Sequence, residues 1–242
     1  MGKTAGIIII GDEILSGKVH DDNSFFMAKE LWSHGIRVCR ISIISDSIDE
    51  IAGEVRDFSQ RYDYIFTSGG IGPTHDDITI EGISKAFDVR TVVHVTLKEI
   101  LEKKLGNLSP EQLKMAEVPE GAELVNDETI SFPLIKFRNV FVFPGIPQLL
   151  RKKFLAIEKL FNEPAIYLKK VYLNESESRI APILNGIVGR YRNVKIGSYP
   201  EVDNRDYSVM VTMESPDEAE LSLSFSDLLS RIPEDKIIRV EE

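Results

Sequence analysis

Ser68-Gly69-Gly70-Ile71-Gly72-Pro73-Thr74-His75-Asp76-Asp77 places three glycines in four residues and two carboxylates at its far end. An apolar segment, Tyr64-Ile65-Phe66-Thr67, precedes it, and a helical pattern from Ile78 to Ala86 follows. The order predicts a strand, a glycine loop and a helix start. Glycines leave backbone N–H groups uncovered by side chains. A helix N-terminus just beyond adds unpaired donors and partial positive charge. Gly69, Gly70, Gly72 and Thr74 are therefore the candidate cradle for a phosphate or another anion. Asp76 and Asp77 would repel a bare phosphate, so a metal ion or a hydroxyl-rich ligand belongs between.

Outward from this loop, strands and helices alternate. Thr4 to Ile10 is a continuous apolar run, the pattern of a strand buried on both faces. A polar connector follows, Ser16 to Asp22, and then a helix carrying Phe25, Phe26, Ala28, Leu31 and Trp32. Val38 to Ile44 reads as a second strand, and Ser47-Ile48-Asp49-Glu50 as a capping box opening a second helix. Beyond the glycine loop come a short strand over Val89–Val95, a helix over Thr96–Leu105 and a helix start at Ser109-Pro110. Leu134–Phe137 and Val140–Phe143 flank a two-residue turn, the mark of a hairpin. Its second arm runs into Pro144-Gly145-Ile146-Pro147 and a helix ending near Phe161. Alternating strands and helices predict a mostly parallel sheet covered on both faces.

The pattern changes at Asn162-Glu163-Pro164. A strand (Ile166–Leu173), a helix (Glu175–Tyr191), an antiparallel pair (Val194–Tyr199 with Tyr207–Met213) and a terminal helix and strand predict a small α+β domain over residues 163–242. Residues 1–162 form the larger α/β domain.

In an open parallel sheet, ligands bind beyond the carboxyl ends of the strands. Gly11-Asp12-Glu13, Ser45-Asp46, residues 69–77 and Pro144-Gly145-Ile146-Pro147 all follow predicted strands, so a parallel sheet gathers them at one edge. Each also has a plain structural use. Asp76 or Asp77 suits a helix cap, Asp46 a turn, and Gly145 a bend between prolines. Other templates fail. Gly11 and Gly17-Lys18 are misspaced for a Walker loop, and Val19 stands where Ser or Thr is required. No G-x-G-x-x-G follows the first strand. No His/Cys metal cluster is visible, and Ser68 has no evident catalytic partners.

The 242 residues carry 29 basic and 39 acidic side chains, a formal charge of −10. This argues against nonspecific binding to nucleic acid or an anionic membrane. Cys39 is the single cysteine, so an internal disulfide is excluded and a reducing, cytoplasmic setting is expected. The N-terminal apolar run is too short for a signal segment or a membrane span.

Residues 68–77 closely resemble the signature of the molybdopterin-binding (MoCF) family. The Pro-Thr-His-Asp-Asp ending resembles the CinA branch and the N-terminal domain of eukaryotic FAD synthase. Ala5 to Gly17, Asp21 with Asn23, Phe143 to Leu150, and Gly197-Ser198-Tyr199-Pro200 in the small domain add to the likeness. The resemblance implies a three-layer α/β sandwich of the molybdopterin-binding fold with a small C-terminal α+β domain. It implies that Asp77 and Asp46 are the family's acidic positions, with Asp12, Asp21 and Asn23 flanking the same cleft. Relatives in this branch are described as hydrolysing the diphosphate of FAD or ADP-ribose with divalent metal, and others bind or adenylylate molybdopterin.

The expected function is thus a metal-dependent nucleotide pyrophosphatase. The alternative is a non-catalytic module that binds a molybdopterin or flavin nucleotide. Asp77, Asp76 and Asp46 are the expected catalytic and metal-ligating residues. Gly69, Gly70, Gly72, Thr74, Asp12, Asn23, Pro144 and Gly145 are expected to line the ligand. The expected cofactor is a divalent cation (Mg, Co or Mn), with room for a monovalent cation beside it. The expected partners are a small nucleotide or pterin and further copies of the chain, as a dimer or trimer. The adenylyltransferase domain of the full eukaryotic enzyme is not in this sequence, so the chain alone is not expected to make FAD.

Overall fold

The computed structural model describes residues 2–161, 163–164 and 166–241. The unbroken apolar run makes strand β1 (Thr4–Ile10), buried from Ala5 onward. Its alternate residues serve opposite layers. Ala5, Ile7 and Ile9 pack with Met27, Leu31 and Phe66, while Ile8 and Ile10 pack with Ile51, Val55 and Phe58.

A single turn, α1 (Asp12–Leu15), forms between β1 and the expected polar connector, and its first-turn Asp12 and Glu13 suit the positive end of a helix. The helix α2 (Asn23–Ser33), strand β2 (Arg37–Ile44), helix α3 (Ile48–Arg61) and strand β3 (Tyr64–Ser68) follow as predicted. The capping box at Ser47 does not form. Glu50 accepts instead from the Ser45 N–H and from Ser45 Oγ at 2.7 Å, and two donors on one residue outbid the Ser47 amide.

After the glycine loop come α4 (Thr79–Ala86), β4 (Thr91–Val93), α5 (Val95–Leu105), α6 (Pro110–Lys114) and β5 (Glu117–Pro119). The strand expected over Val89–Val95 shrinks to β4, because Asp88 takes a left-handed φ of 55° and Val95 already begins α5. It pairs with β5 in a separate antiparallel ribbon. The strand β6 (Glu123–Val125) has no clear sequence signal. The predicted hairpin is present as β7 (Leu134–Phe137) and β8 (Val140–Phe143), with Arg138 at φ 52° in the turn. The helix α7 (Pro147–Ile157) ends earlier than expected, in a 3-10 turn over Glu158–Leu160.

The sheet order is β2-β1-β3-β8-β7-β6. The strands β2, β1, β3 and β8 run parallel, and β7 and β6 run antiparallel to their neighbours. Residues of α2 and α7 share one buried cluster with the sheet, and residues of α3, α4 and α5 share the other. The fold is therefore the expected α/β three-layer sandwich around a mostly parallel sheet.

Two compact units divide the chain, Met1–Glu163 and Pro164–Glu242. Of the expected boundary, Asn162 lies outside the described residues. The second unit contains β9 (Tyr167–Leu173), α8 (Glu177–Arg190), β10 (Lys195–Pro200), β11 (Val209–Ser215), α9 (Glu218–Arg231) and β12 (Ile237–Glu241). Its strands form one antiparallel sheet in the order β10-β11-β9-β12. A βαββαβ chain in that order is the ferredoxin-like arrangement. Val171, Ile187, Val211, Met213, Leu221 and Phe225 fill its core. No helix among the described residues is long and apolar enough to cross a membrane.

Candidate functional site

Because β2, β1, β3 and β8 are parallel, their carboxyl ends meet at one edge. Close backbone contacts hold the four following turns together. The Gly11 N–H donates to Ile44 O at 3.1 Å, and the Gly69 N–H donates to Phe143 O at 3.2 Å. Asn23 is buried and stitches two of the turns. Its Nδ2 donates to Ser68 Oγ at 3.0 Å and to Gly145 O at 2.7 Å. Ser68 Oγ in turn donates to Pro144 O at 3.3 Å, so this hydroxyl is a structural tie and not a nucleophile. The Asp21 carboxylate is committed to the start of α2, accepting from the Asn23 and Ser24 amides.

Two glycines of the loop are dictated by close approach. A Cβ on Gly69, whose φ is 109°, would stand 2.1 Å from Ile10 O. A Cβ on Gly70, whose φ is 64°, would stand 2.4 Å from Thr79 Oγ1, which donates to Gly69 O. With the Gly69 N–H spent on Phe143, the donors open to a ligand begin one residue later. Among the described residues, no hydrogen bond occupies the N–H groups of Gly70, Ile71 or Gly72.

The carboxylates gather on the near lip of this edge. Neither Asp76 nor Asp77 caps α4, whose N-cap is Ile78 without a side-chain bond. The loop folds back first: Asp77 Oδ2 accepts from the Thr74 N–H at 2.8 Å, and Asp76 and Asp77 both lie against Thr74 Oγ1. That hydrogen bond holds the Asp76 carboxyl below the usual range. The Asp12 N–H donates to Asp46 Oδ2 at 2.9 Å. Burial, and then the charges of Asp12, Glu13 and Asp76, push the Asp46 carboxyl up, against the pull of that N–H. His75 is almost wholly in solvent, its Nδ1 3.8 Å from Asp76.

Beyond the glycine loop opens a cavity of about 820 Å³. Glu13, Asp77 and Gly69 to Pro73 form its near end, with Pro144-Gly145-Ile146 beside them. Its far end is apolar, walled by Leu101, Met115, Ile130, Phe132, Ile135 and Leu149. Lys104, Lys114, Lys152 and Lys153 also line it. Sequence reasoning missed this far end. It missed Glu81 and Glu117 as well. Glu81 pairs with Lys114 at 3.5 Å, and burial, then the Glu81 charge, raise the Glu117 carboxyl. Lys153 Nζ donates to Phe132 O at 2.9 Å and to Pro133 O at 2.8 Å, and burial pushes its ammonium down to about 8.

Among the described residues, no three His, Cys, Asp or Glu side chains are grouped as a metal cage. The donors on the lip fit a divalent cation in another way. They are carboxylate and hydroxyl oxygens, and both the burial that raises Asp46 and the repulsion that adds to it are offset by a positive charge. Magnesium characteristically takes one or two carboxylates and completes its shell with water and phosphate oxygens.

Comparison with known proteins places the chain in a family. A probable molybdopterin binding domain family matches residues 6–164, and an FAD synthase middle domain family matches residues 165–241. A "Probable FAD synthase" of Caenorhabditis elegans is 34% identical over 242 residues, which cover 88% of this chain and 47% of the relative. The chain thus spans about half the length of that protein. A protein of Archaeoglobus fulgidus is 37% identical over 195 residues, 81% of this chain and 85% of its own. The crystal structure of CinA from Thermoplasma acidophilum superposes with a TM-score of 0.62 at 31% identity, covering 66% of this chain and all of that one. The chain belongs to the molybdopterin-binding domain family, in the form that carries an FAD synthase middle domain behind it.

Proposed function

We propose that the first unit binds a dinucleotide of the FAD or ADP-ribose type at its strand ends and hydrolyses the diphosphate. One observation carries the reading: Gly70, Ile71 and Gly72, whose N–H groups have no hydrogen bond among the described residues, line the same cavity as Asp77. The N–H groups bind one phosphate, as oriented amides at helix starts do. Asp77 and Asp76 hold a divalent cation, which when bound neutralises charge on the diphosphate. Water attacks one phosphorus, the bond from that phosphorus to the bridging oxygen breaks, and two monophosphates leave. Asp46 accepts the water's proton on Oδ1, the oxygen that the Asp12 amide leaves open. Its raised affinity for a proton suits that task. The Pro144 to Pro147 turn walls the ligand from the side of β8.

The test is incubation of purified protein with FAD or ADP-ribose and Mg, Mn or Co, with products read by mass. Release of nucleoside monophosphate is expected, with a loss of about a hundredfold in Asp77→Asn. No release with any metal sinks the hydrolase reading. The second reading, a binding module without turnover, is favoured by the absence of a preformed cage among the described residues and by the engagement of Asp76 and Asp77 with Thr74. It predicts that the ligand raises the melting temperature and stays intact.

A further inference from the structure

We propose that Lys153 is the recognition residue of a ring subsite at the far end of the cavity, which takes a flat heteroaromatic ring through a carbonyl on its edge. This deepens the proposed function and rests on it for the diphosphate that the ring would carry.

The subsite is built from parts of the chain far apart in sequence. The walls come from α5 (Leu101), the end of α6 (Met115), the connection before β7 (Ile130, Phe132) and α7 (Leu149). An 820 Å³ space lies within the usual range of small-ligand sites, roughly 300–1,000 Å³. That leaves room for a ring beside a diphosphate. Walls of this kind favour a flat apolar body over a sugar or a second phosphate, because polar groups are poorly solvated there.

Lys153 is the polar group that such a site needs. An ammonium has three N–H donors. Two are spent on the carbonyls of Phe132 and Pro133. Among the described residues, no acceptor takes the third, and no carboxylate pairs with the charge. The Phe132 ring stands 5.2 Å from Nζ. Of the other charged groups that line the cavity, Lys114 is tied to Glu81 and to Thr74 O, Glu13 and Asp77 belong to the glycine-loop end, Glu117 is an acceptor and not a donor, and Lys104 and Lys152 lack the two carbonyl contacts that fix the Lys153 ammonium in place. The two carbonyls account for two of the three donors and hold the ammonium in place, but they leave its third donor and its full charge without a partner among these side chains. An acceptor arriving with a ligand supplies one.

The probes are riboflavin, which has the carbonyl-edged ring without a diphosphate, ADP-ribose, which has the diphosphate without that ring, and phenazine, a flat ring without carbonyls. Binding is measured by fluorescence for the rings and by calorimetry for ADP-ribose, on wild type and Lys153→Met, with melting curves for both. Riboflavin binding is expected to weaken about tenfold or more in K153M, and ADP-ribose binding to stay within about twofold. Wild type is expected to hold phenazine about tenfold more weakly than riboflavin, a reading that needs no variant. The subsite is overturned if wild type binds no riboflavin, if phenazine binds as well, or if folded K153M binds riboflavin as tightly. Failure of wild type to bind ADP-ribose counts against the diphosphate reading and leaves the ring result to stand by itself.

Discussion

The two ends of the cavity are built on opposite plans. At the glycine loop, side chains are short and acidic, and they are fixed by backbone: Asp46 by the Asp12 amide, Asp77 by the Thr74 amide, and the loop itself by Phe143 and Ile10. At the far end, the polar groups are long lysines on helices, set among apolar walls. The near end holds its geometry through main-chain contacts and tolerates almost no added atom. The far end holds its shape through side chains and admits exchange. On the proposed function, specificity is therefore easier to alter at the lysine end, and activity is easier to destroy at the glycine end.

The largest effect should come from Gly69→Ala, which strikes the frame common to both. A methyl 2.1 Å from Ile10 O, at a φ of 109°, forces β1 and β3 apart. A loss of about 3 kcal/mol or more is expected, read by denaturant unfolding. A mild effect would mean that the main-chain frame is softer than described.

Next in size is the pH dependence of stability owed to Lys153. Its folded value of about 8 lies below the ordinary 10.5, so the unfolded chain binds more protons between those values. Burial of the charged form then weakens the fold fully below pH 8. Stability should rise from pH 8 toward 10.5, by at most about 3 kcal/mol from this group. Lys153→Met should flatten that rise, and an unchanged slope would remove the contrast between the two ends.

The smallest effect belongs to Asp46→Asn. The amide keeps an acceptor for the Asp12 N–H while removing one of several like charges. The expected result is a gain within about 0.5 kcal/mol, larger at low salt. A clear loss of stability would show the acidic lip to be a structural network.

Much of the near end could be read from sequence because its signals are local. A run such as Ala5–Ile10 announces a doubly buried strand. Residues 68–77 announce a glycine loop, and Arg138-Asn139 between apolar arms announces a hairpin. A parallel sheet then carries the four turns to one edge. What escaped was settled by competition or by distance. Asp77 looked like a helix cap, but the Thr74 amide captured it. Ser47 looked like half of a capping box, but Ser45 captured Glu50. Lys153 gives no signal of its role, because nothing in its neighbourhood along the chain points to Phe132, twenty-one residues earlier. Met115 and Leu101 likewise carry no local mark of a shared cavity. A cavity wall assembled from four separate segments leaves no period in the sequence.

The helix α7 begins at Pro147, against the turn that borders the glycine loop, and reaches Lys153 six residues on. Six residues of α-helix span about 9 Å. The span between the glycine-loop end and the Lys153 end is thus set by a rod and not by a hinge. A rod measures. Ligands whose ring and diphosphate are joined by a shorter or longer tether should be rejected by length alone, before any contact is tested. One residue inserted ahead of Lys153 would swing its ammonium about 100° around the helix axis and spoil the gauge.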